Sequence, residues 1–349
     1  MEIENLVREN IKKLKPYTSA RDSYLSGILL DANENGFGSV VEIENVELNR
    51  YPDPAQKDLR SVVGEYIGIS PDNLFFGVGS DEVIDLLVRI FCIPSIDNVI
   101  TTEPTYGMYQ VACDINDVGA KNVLLTDDFQ PDVEKILASA DTNTKMLFIC
   151  SPNNPTGNLL KNEKIVELAK KFPGMVIVDE AYIDFSEEGS VINLVKKYEN
   201  LVVMRTFSKA WGLAGIRCGY CAADEKVIQY LMKIKAPYNL NKLTRQAVIN
   251  SVADFRKKDL YVSEIISERK RVRDSLEKIK KIEKIFDSDA NFLLFRVENA
   301  KNVQLALAEK GVIIRDRSTQ HKLAGCLRVT IGNKEENDIF LKEIKDLLK

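Results

Sequence analysis

The feature that most limits the possible folds is an alternation between about residues 55 and 223. Short, continuous apolar runs there are separated by segments of helical period. Such runs carry no polar face, so a sheet built from them has to be covered on both sides. Helices between strands also supply the crossovers that parallel strands need. The expected architecture is α/β: a mostly parallel central sheet sandwiched by helices, with a smaller α+β unit after it. Strands are expected over 73–78, 98–101, 121–126, 145–150, 175–178, 201–205 and 216–223. Helices are expected over 56–66, 82–91, 106–118, 131–139 and 161–172.

The pattern changes near residue 224. A helix is expected over 225–234, ended by Ala236-Pro237, and a helical period runs over most of 242–282. Charge blocks there, such as SERKRVRDSLEKIKK, read as a solvated helix face. Strands follow at 291–297, 312–315 and 326–331, with a helix over 302–310 and a last helix opened by Asn333. At the other end, residues 1–20 read as a charged amphipathic helix ending near Pro16, because the residue before proline disfavours helical dihedrals. Residues 21–54 are irregular and too polar to form a core. The expected organisation is an N-terminal arm over 1–54 that contributes to the small domain, a large domain over 55–235 and a small C-terminal domain over 236–349.

With 349 residues, 45% hydrophobic and 29% charged, the chain has material for a large core. A net charge of −4 offers no footprint for nucleic acid. No run approaches the roughly 18 apolar residues of a membrane span, and the N-terminus lacks the apolar centre of a secretory signal. A cytoplasmic protein is expected, with neither nucleic acid nor membrane as partner. Most of the cysteines sit in apolar runs, and Cys218-Gly-Tyr-Cys221 has no second pair at zinc spacing, so buried thiols are expected. The single histidine, His321, excludes a histidine-rich metal site, and no metal is expected.

In an open parallel sheet, ligands sit beyond the carboxyl ends of the strands. Five polar clusters fall there. Thr206-Phe207-Ser208-Lys209 follows the 201–205 strand, and Arg217 comes after a small-residue segment. A lysine held partly out of water has a nucleophilic amine; a surface loop lysine is the ordinary alternative. Gly79-Ser80-Asp81-Glu82 lies between strand and helix, where Ser80 or Asp81 could be an N-cap, an anion could bind the backbone N–H groups, or both. Tyr106 can stack on a flat heterocycle or fill the core. Asn154, held before a proline, is a turn residue whose amide could bond a ligand. Asp179 ends an apolar strand, and a buried acid needs a partner, either a protonated ring nitrogen or an internal arginine. Tyr182 brings a phenol near it. A phosphate cradle, a stacking ring, an amide, a carboxylate and an amine are the groups that pyridoxal 5'-phosphate requires. The lysine forms a Schiff base, and the carboxylate keeps the pyridine nitrogen protonated.

The ordered motifs Y-P-D-P, G-S-D-E, P-T-Y-G, S-P-N-N-P-T-G, D-E-A-Y, T-F-S-K and G-x-R-C-G resemble the fold type I pyridoxal-phosphate aminotransferases over nearly the whole chain. More narrowly, L-K-P-Y-T-S-A-R at 14–21, L-D-A-N-E-N at 30–35, I-I-R-D-R-S at 313–318 and C-L-R-V-T-I-G at 326–332 are similar to the histidinol-phosphate aminotransferase family. Aromatic aminotransferases and threonine-phosphate decarboxylase share most of these motifs and are the alternatives, with a non-catalytic protein on the same fold behind them. The resemblance implies that the 55–235 domain binds the cofactor. Lys209 would carry it and move the substrate proton, with Asp179 on the pyridine nitrogen, Asn154 and Tyr182 on the phenolic oxygen, and Tyr106 stacked on the ring. Ser80, Asp81, Thr206, Ser208 and Arg217 would hold its phosphate. Tyr51 would reach the phosphate of a neighbouring subunit, which implies a homodimer. Tyr17, Arg315 and Arg328 are implied for the substrate phosphate or carboxylate. The implied reaction is a ping-pong transamination in histidine biosynthesis, between glutamate and imidazole acetol phosphate, giving L-histidinol phosphate and 2-oxoglutarate.

Overall fold

Seven strands form the central sheet, in the order Leu74–Val78, Cys218–Ala222, Leu201–Thr206, Met175–Asp179, Thr144–Cys150, Asn98–Glu103 and Gly119–Leu124. They belong to a computed structural model that describes residues 28–31, 33, 35–37, 52–186 and 189–349. The last five strands of the order run parallel, while Cys218–Ala222 is antiparallel to both its neighbours. Alternate residues feed two separate cores. Leu147, Ile149, Val176 and Val178 pack on one face, and Met146, Phe148, Ile177 and Met204 on the other. Side chains alternate sides along a strand, so a strand between two cores is apolar throughout.

The helices Lys57–Ile67, Met108–Ile115, Val133–Ser139 and Asn162–Lys171 lie where the periodicity places them, the second shorter than expected. The helix expected from 82 starts earlier and spans Gly79–Phe91. The long helical period over 242–282 is two helices, Lys242–Ala253 and Phe255–Leu276, with the non-helical Asp254 between them. Its tail is the strand Ile282–Ile285, whose short, half-exposed Ile-Glu-Lys-Ile pattern gives little signal.

The expected 312–315 strand is also divided. Val312–Ile313 pairs parallel with Ile28–Leu29. Arg315–Asp316 joins a four-stranded antiparallel sheet in the order Arg315–Asp316, Cys326–Thr330, Phe292–Val297 and Ile282–Ile285. The final helix, Lys334–Leu347, is opened by Asn333, which forms a reciprocal capping box with Glu336.

The segment after residue 28 is stitched to this smaller sheet. Leu30 N–H donates to Ile313 O at 2.9 Å, and Thr330 N–H donates to Leu30 O at 3.0 Å. Asn33 N–H donates to Thr330 Oγ1 at 2.9 Å. The expected helix over 1–20 lies outside the described residues, as do Tyr17 and Tyr51. All six cysteines are buried and free. Among the described residues, no helix is long and apolar enough to cross a membrane, and no cluster of metal-ligating side chains occurs.

One close approach fixes the sheet against the Gly79–Phe91 helix. A Cβ on Gly219 would sit 2.7 Å from the carbonyl carbon of Gly79 and 3.0 Å from Ser80 Cα. Both are backbone atoms that cannot swing away. Gly219→Ala should therefore lower stability by about 1–3 kcal/mol, read as a reduced urea midpoint. A midpoint equal to the parent's would show that helix and strand part without cost.

Candidate active site

The carboxyl ends of the parallel strands and the smaller sheet together line a cavity of about 490 Å³. Every site residue expected from sequence and described by the structure opens into it. Tyr17 and Tyr51 lie outside the described residues.

At the floor, Asp179 is the last residue of its strand and is buried. Its Oδ1 accepts the Ala181 N–H at 3.0 Å, and its Oδ2 accepts the Tyr109 O–H at 2.8 Å. Burial pushes the carboxyl up to about 6, against the pull of these two hydrogen bonds. Among the described residues no arginine pairs with it. The internal arginine pairs with the adjacent acid instead: Arg205 lies 2.9 Å from Glu180 Oε2, and Glu180 also accepts the Val191 N–H at 2.6 Å.

The second end is built for an anion. Gly79 has φ +74°, which turns the chain into the helix three residues earlier than expected. Ser80 and Asp81 therefore lie inside the first turn and cap nothing. The N-cap residue is Val78, which makes no side-chain cap bond, and this corrects the N-cap alternative for both. Glu82 Oε2 reaches back to the Val78 N–H at 2.6 Å. Opposite the helix start, Arg217 places Nη1 3.4 Å from Ser208 Oγ and Nη2 3.3 Å from Asp81 Oδ2. Thr206 Oγ1 donates to Ser208 Oγ at 3.0 Å. A Cβ on Gly79 would stand 2.7 Å from Arg217 Nη2, so a side chain there would displace the guanidinium. Backbone N–H groups, two hydroxyls and a guanidinium around one hollow suit a phosphate dianion.

Tyr106 donates its O–H to Asp81 Oδ1 at 3.2 Å and sets its ring edge against Tyr109, with centroids 5.6 Å apart at 85°. Lys209 is half-buried, with Nζ 5.8 Å from the centroid of the Tyr182 ring.

A polar network fixes the remaining wall. Arg328 is 3% exposed. Its Nη1 donates to Asn154 Oδ1 at 2.6 Å and its Nη2 to Asp31 O at 2.9 Å. Since Asn154 Oδ1 accepts from Arg328, its Nδ2 is the atom that donates to Tyr182 Oη, at 3.1 Å. Asn33 Oδ1 accepts from Thr330 Oγ1 at 2.8 Å, so its Nδ2 is likewise a donor to Tyr182 Oη, at 3.0 Å. A phenol has two lone pairs and one hydrogen. Both lone pairs of Tyr182 are engaged, which leaves its O–H as a donor for a further group.

Arg315 lies opposite Arg328 in the antiparallel register, and Arg317, two residues on, also lines the cavity. Sequence reasoning missed Arg317, Asn33, Asp31 and Tyr109. Period-two spacing from Arg315 was a usable signal for Arg317. Asn33 and Asp31 stand within the L-D-A-N-E-N motif, which gives no atom-level role. Nothing in the sequence separates Tyr109 from an ordinary core aromatic.

Residues 27–344 match the family model for aminotransferase class I and II. A histidinol-phosphate aminotransferase of Flavobacterium johnsoniae is 47% identical, over 99% of this chain and 98% of its own. The chain belongs to the histidinol-phosphate aminotransferase family. The solved histidinol-phosphate aminotransferase of Clostridium acetobutylicum superposes with a TM-score of 0.83 at 26% identity, covering 91% of this chain and 98% of that one. That of Sinorhizobium meliloti, solved in complex with pyridoxal-5'-phosphate, gives a TM-score of 0.86 at 23% identity and 98% coverage of both chains, and shares the fold. The family's cofactor can be tested against the cavity's own chemistry. The hollow at the Gly79 helix start suits its phosphate, Asp179 suits its pyridine nitrogen, and Lys209 supplies an amine in the same cavity. The residues fit.

The Asp179 carboxyl keeps its proton up to about pH 6 in the folded chain, whereas an unfolded aspartate loses it near 4. Between these values the folded state binds more protons than the unfolded one, so this group's contribution to stability falls as pH rises through the window. Above about pH 6 the full cost is present. Asp179→Asn should therefore raise the melting temperature of the ligand-free protein near pH 8 by the equivalent of roughly 1–3 kcal/mol, and the gain should fade toward pH 4. A variant melting at or below the parent near pH 8 would mean the carboxylate is carried without strain.

Proposed function

We propose that this chain transfers an amino group between glutamate and imidazole acetol phosphate, giving L-histidinol phosphate and 2-oxoglutarate, with pyridoxal 5'-phosphate as cofactor and by a ping-pong route. The observation that carries the reading is the opening of Lys209, Asp179, an anion cradle and the arginines Arg315 and Arg328 into one cavity. The 47% identity to a histidinol-phosphate aminotransferase supports the same substrate pair.

Pyridoxal phosphate, when bound, supplies an electron sink for the charge left on the substrate α-carbon. Lys209 would hold it through Nζ, and once the substrate's amine has displaced that bond the freed Nζ amine would move the proton at the α-carbon. Asp179, ionised above about pH 6, offers the counter-charge that keeps a proton on the pyridine nitrogen. Ser80 and Asp81 serve the phosphate through their backbone N–H groups, with Thr206, Ser208 and Arg217 facing them. The Asp81 carboxylate is spent on Arg217 and Tyr106 rather than on the anion. Tyr106 stacks on the ring. The O–H of Tyr182 and the amide of Asn154 would hold the phenolic oxygen. Arg328 and Arg315 take the substrate's carboxylate and phosphate with planar guanidinium forks, and Tyr17 adds a phosphate contact.

Tyr51 reaching the cofactor phosphate of a second subunit, a homodimer and a cytoplasmic location belong to the same proposal. So does a division into an arm over 1–54, a large cofactor domain over 55–235 and a small domain over 236–349.

Lys209→Ala should abolish turnover and the borohydride-reducible attachment of the cofactor; normal turnover by this variant would sink the mechanism. Asp179→Ala should lose several orders of magnitude in rate, and a loss under about tenfold, ~1.4 kcal/mol, would remove its assigned role. A panel of histidinol phosphate, phenylalanine and phosphothreonine, each with 2-oxoglutarate, tests the substrate. Histidinol phosphate should be turned over at least ~100-fold more efficiently than the others, a difference of about 2.7 kcal/mol. Preference for phenylalanine, or release of carbon dioxide from phosphothreonine, would replace the substrate assignment.

A further inference from the structure

We propose that Tyr109 is a positioning residue whose phenol orients the Asp179 carboxylate and keeps it anionic toward the pyridine nitrogen. The inference rests on the cofactor reading above and adds a residue to it.

Tyr109 lies in the Met108–Ile115 helix and is fully buried. Its ring stacks on Phe148 with centroids 4.9 Å apart and planes within 9°, and Tyr106 closes its edge. The ring has no room to swing, so its O–H is aimed. That O–H donates to Asp179 Oδ2 at 2.8 Å, while Ala181 N–H donates to Oδ1 at 3.0 Å. Each carboxylate oxygen has one protein donor, which fixes the plane of the group. Each oxygen keeps a lone pair, and Asp179 lines the cavity.

Several other groups around Asp179 do not favour its charge. Asp81, from the Gly79 helix, and Glu180, next in the chain, are acids that push it toward neutrality, as burial does. Cys150, its register partner on the neighbouring strand, is a buried thiol whose own ionisation burial suppresses, and it donates to Pro152 O at 3.3 Å. Tyr182, three residues on, is a neutral phenol pushed up to about 12, first by burial. The hydrogen bonds from Tyr109 and Ala181 oppose this set. Burial and the facing carboxylate hold the Tyr109 phenol well above its ordinary range, so it stays a donor. A core-filling role would be met as well by phenylalanine, without burying a hydroxyl that must then be bonded.

A proton between Asp179 and a pyridine nitrogen rests on the more basic of the two. The Tyr109 O–H lowers the basicity of the acid and so leaves the proton on nitrogen. The test is Tyr109→Phe, which removes one oxygen and keeps the stacked ring. The holoenzyme is loaded with pyridoxal phosphate labelled with nitrogen-15 in the ring, and its resonance is read near neutral pH beside the cofactor dissociation constant. Tyr109→Phe should move the resonance toward the unprotonated value and weaken cofactor binding by about tenfold or more. 3-Fluorotyrosine at the same position is a stronger donor of nearly unchanged size. It should hold the resonance at or beyond the wild-type value on the protonated side. A wild-type resonance and affinity in Tyr109→Phe would overturn the proposal. If Tyr109→Phe does not fold, a fluorinated protein shifted toward the unprotonated value would overturn it alone. Wild-type protein that takes up no labelled cofactor would instead defeat the cofactor reading.

Discussion

A carboxylate is buried at the end of an apolar strand, and much of the site answers to the cost of keeping it there. An ion moved into a protein interior loses several kcal/mol of hydration that only hydrogen bonds and opposite charge can return. Two neighbouring acids meet this cost in different ways. Glu180 is matched inside the fold, by Arg205 and the Val191 N–H. Asp179 receives two hydrogen bonds from Tyr109 and Ala181 and opens into the cavity. The first arrangement is structural. The second keeps an acid poised near neutrality for a cation brought by a ligand, as functional sites do.

The opposite charge is placed with equal economy. The helix start at Gly79 and the Arg217 guanidinium together present positive potential at one end of the cavity, and Arg315, Arg317 and Arg328 line another wall. The contact of Arg328 with Asn154, at 2.6 Å, joins a group assigned to substrate with one assigned to cofactor. Asn154 in turn shares the Tyr182 oxygen with Asn33, which is anchored to Thr330 in the smaller sheet. A displacement of either sheet therefore reaches the same phenol.

The sheet was legible because each central strand lies between two cores, which writes itself as an apolar run such as Met175–Asp179. The break at Asp254 was not, because helices on both sides keep one period and a solvated face masks the junction. Residues 312–315 read as one strand because Ile314, between the two short pairings, is as buried as a strand residue. In the site, lysine, aspartate and asparagine stood out because a polar residue after an apolar strand is conspicuous. Tyr109 was invisible for the converse reason. A tyrosine in an apolar helix looks like packing, and only the fold brings its oxygen to Asp179, seventy positions away.

The helix beginning at Gly79 carries a further consequence. Its N-cap residue is Val78, which makes no side-chain bond to the first N–H groups. An anion seated there would complete the helix as an ordinary N-cap does. Its binding free energy would then enter the folding equilibrium, adding about 2.7 kcal/mol at a hundredfold excess over the dissociation constant. The resistance of the folded chain to heat and denaturant would therefore rise with the concentration of that anion.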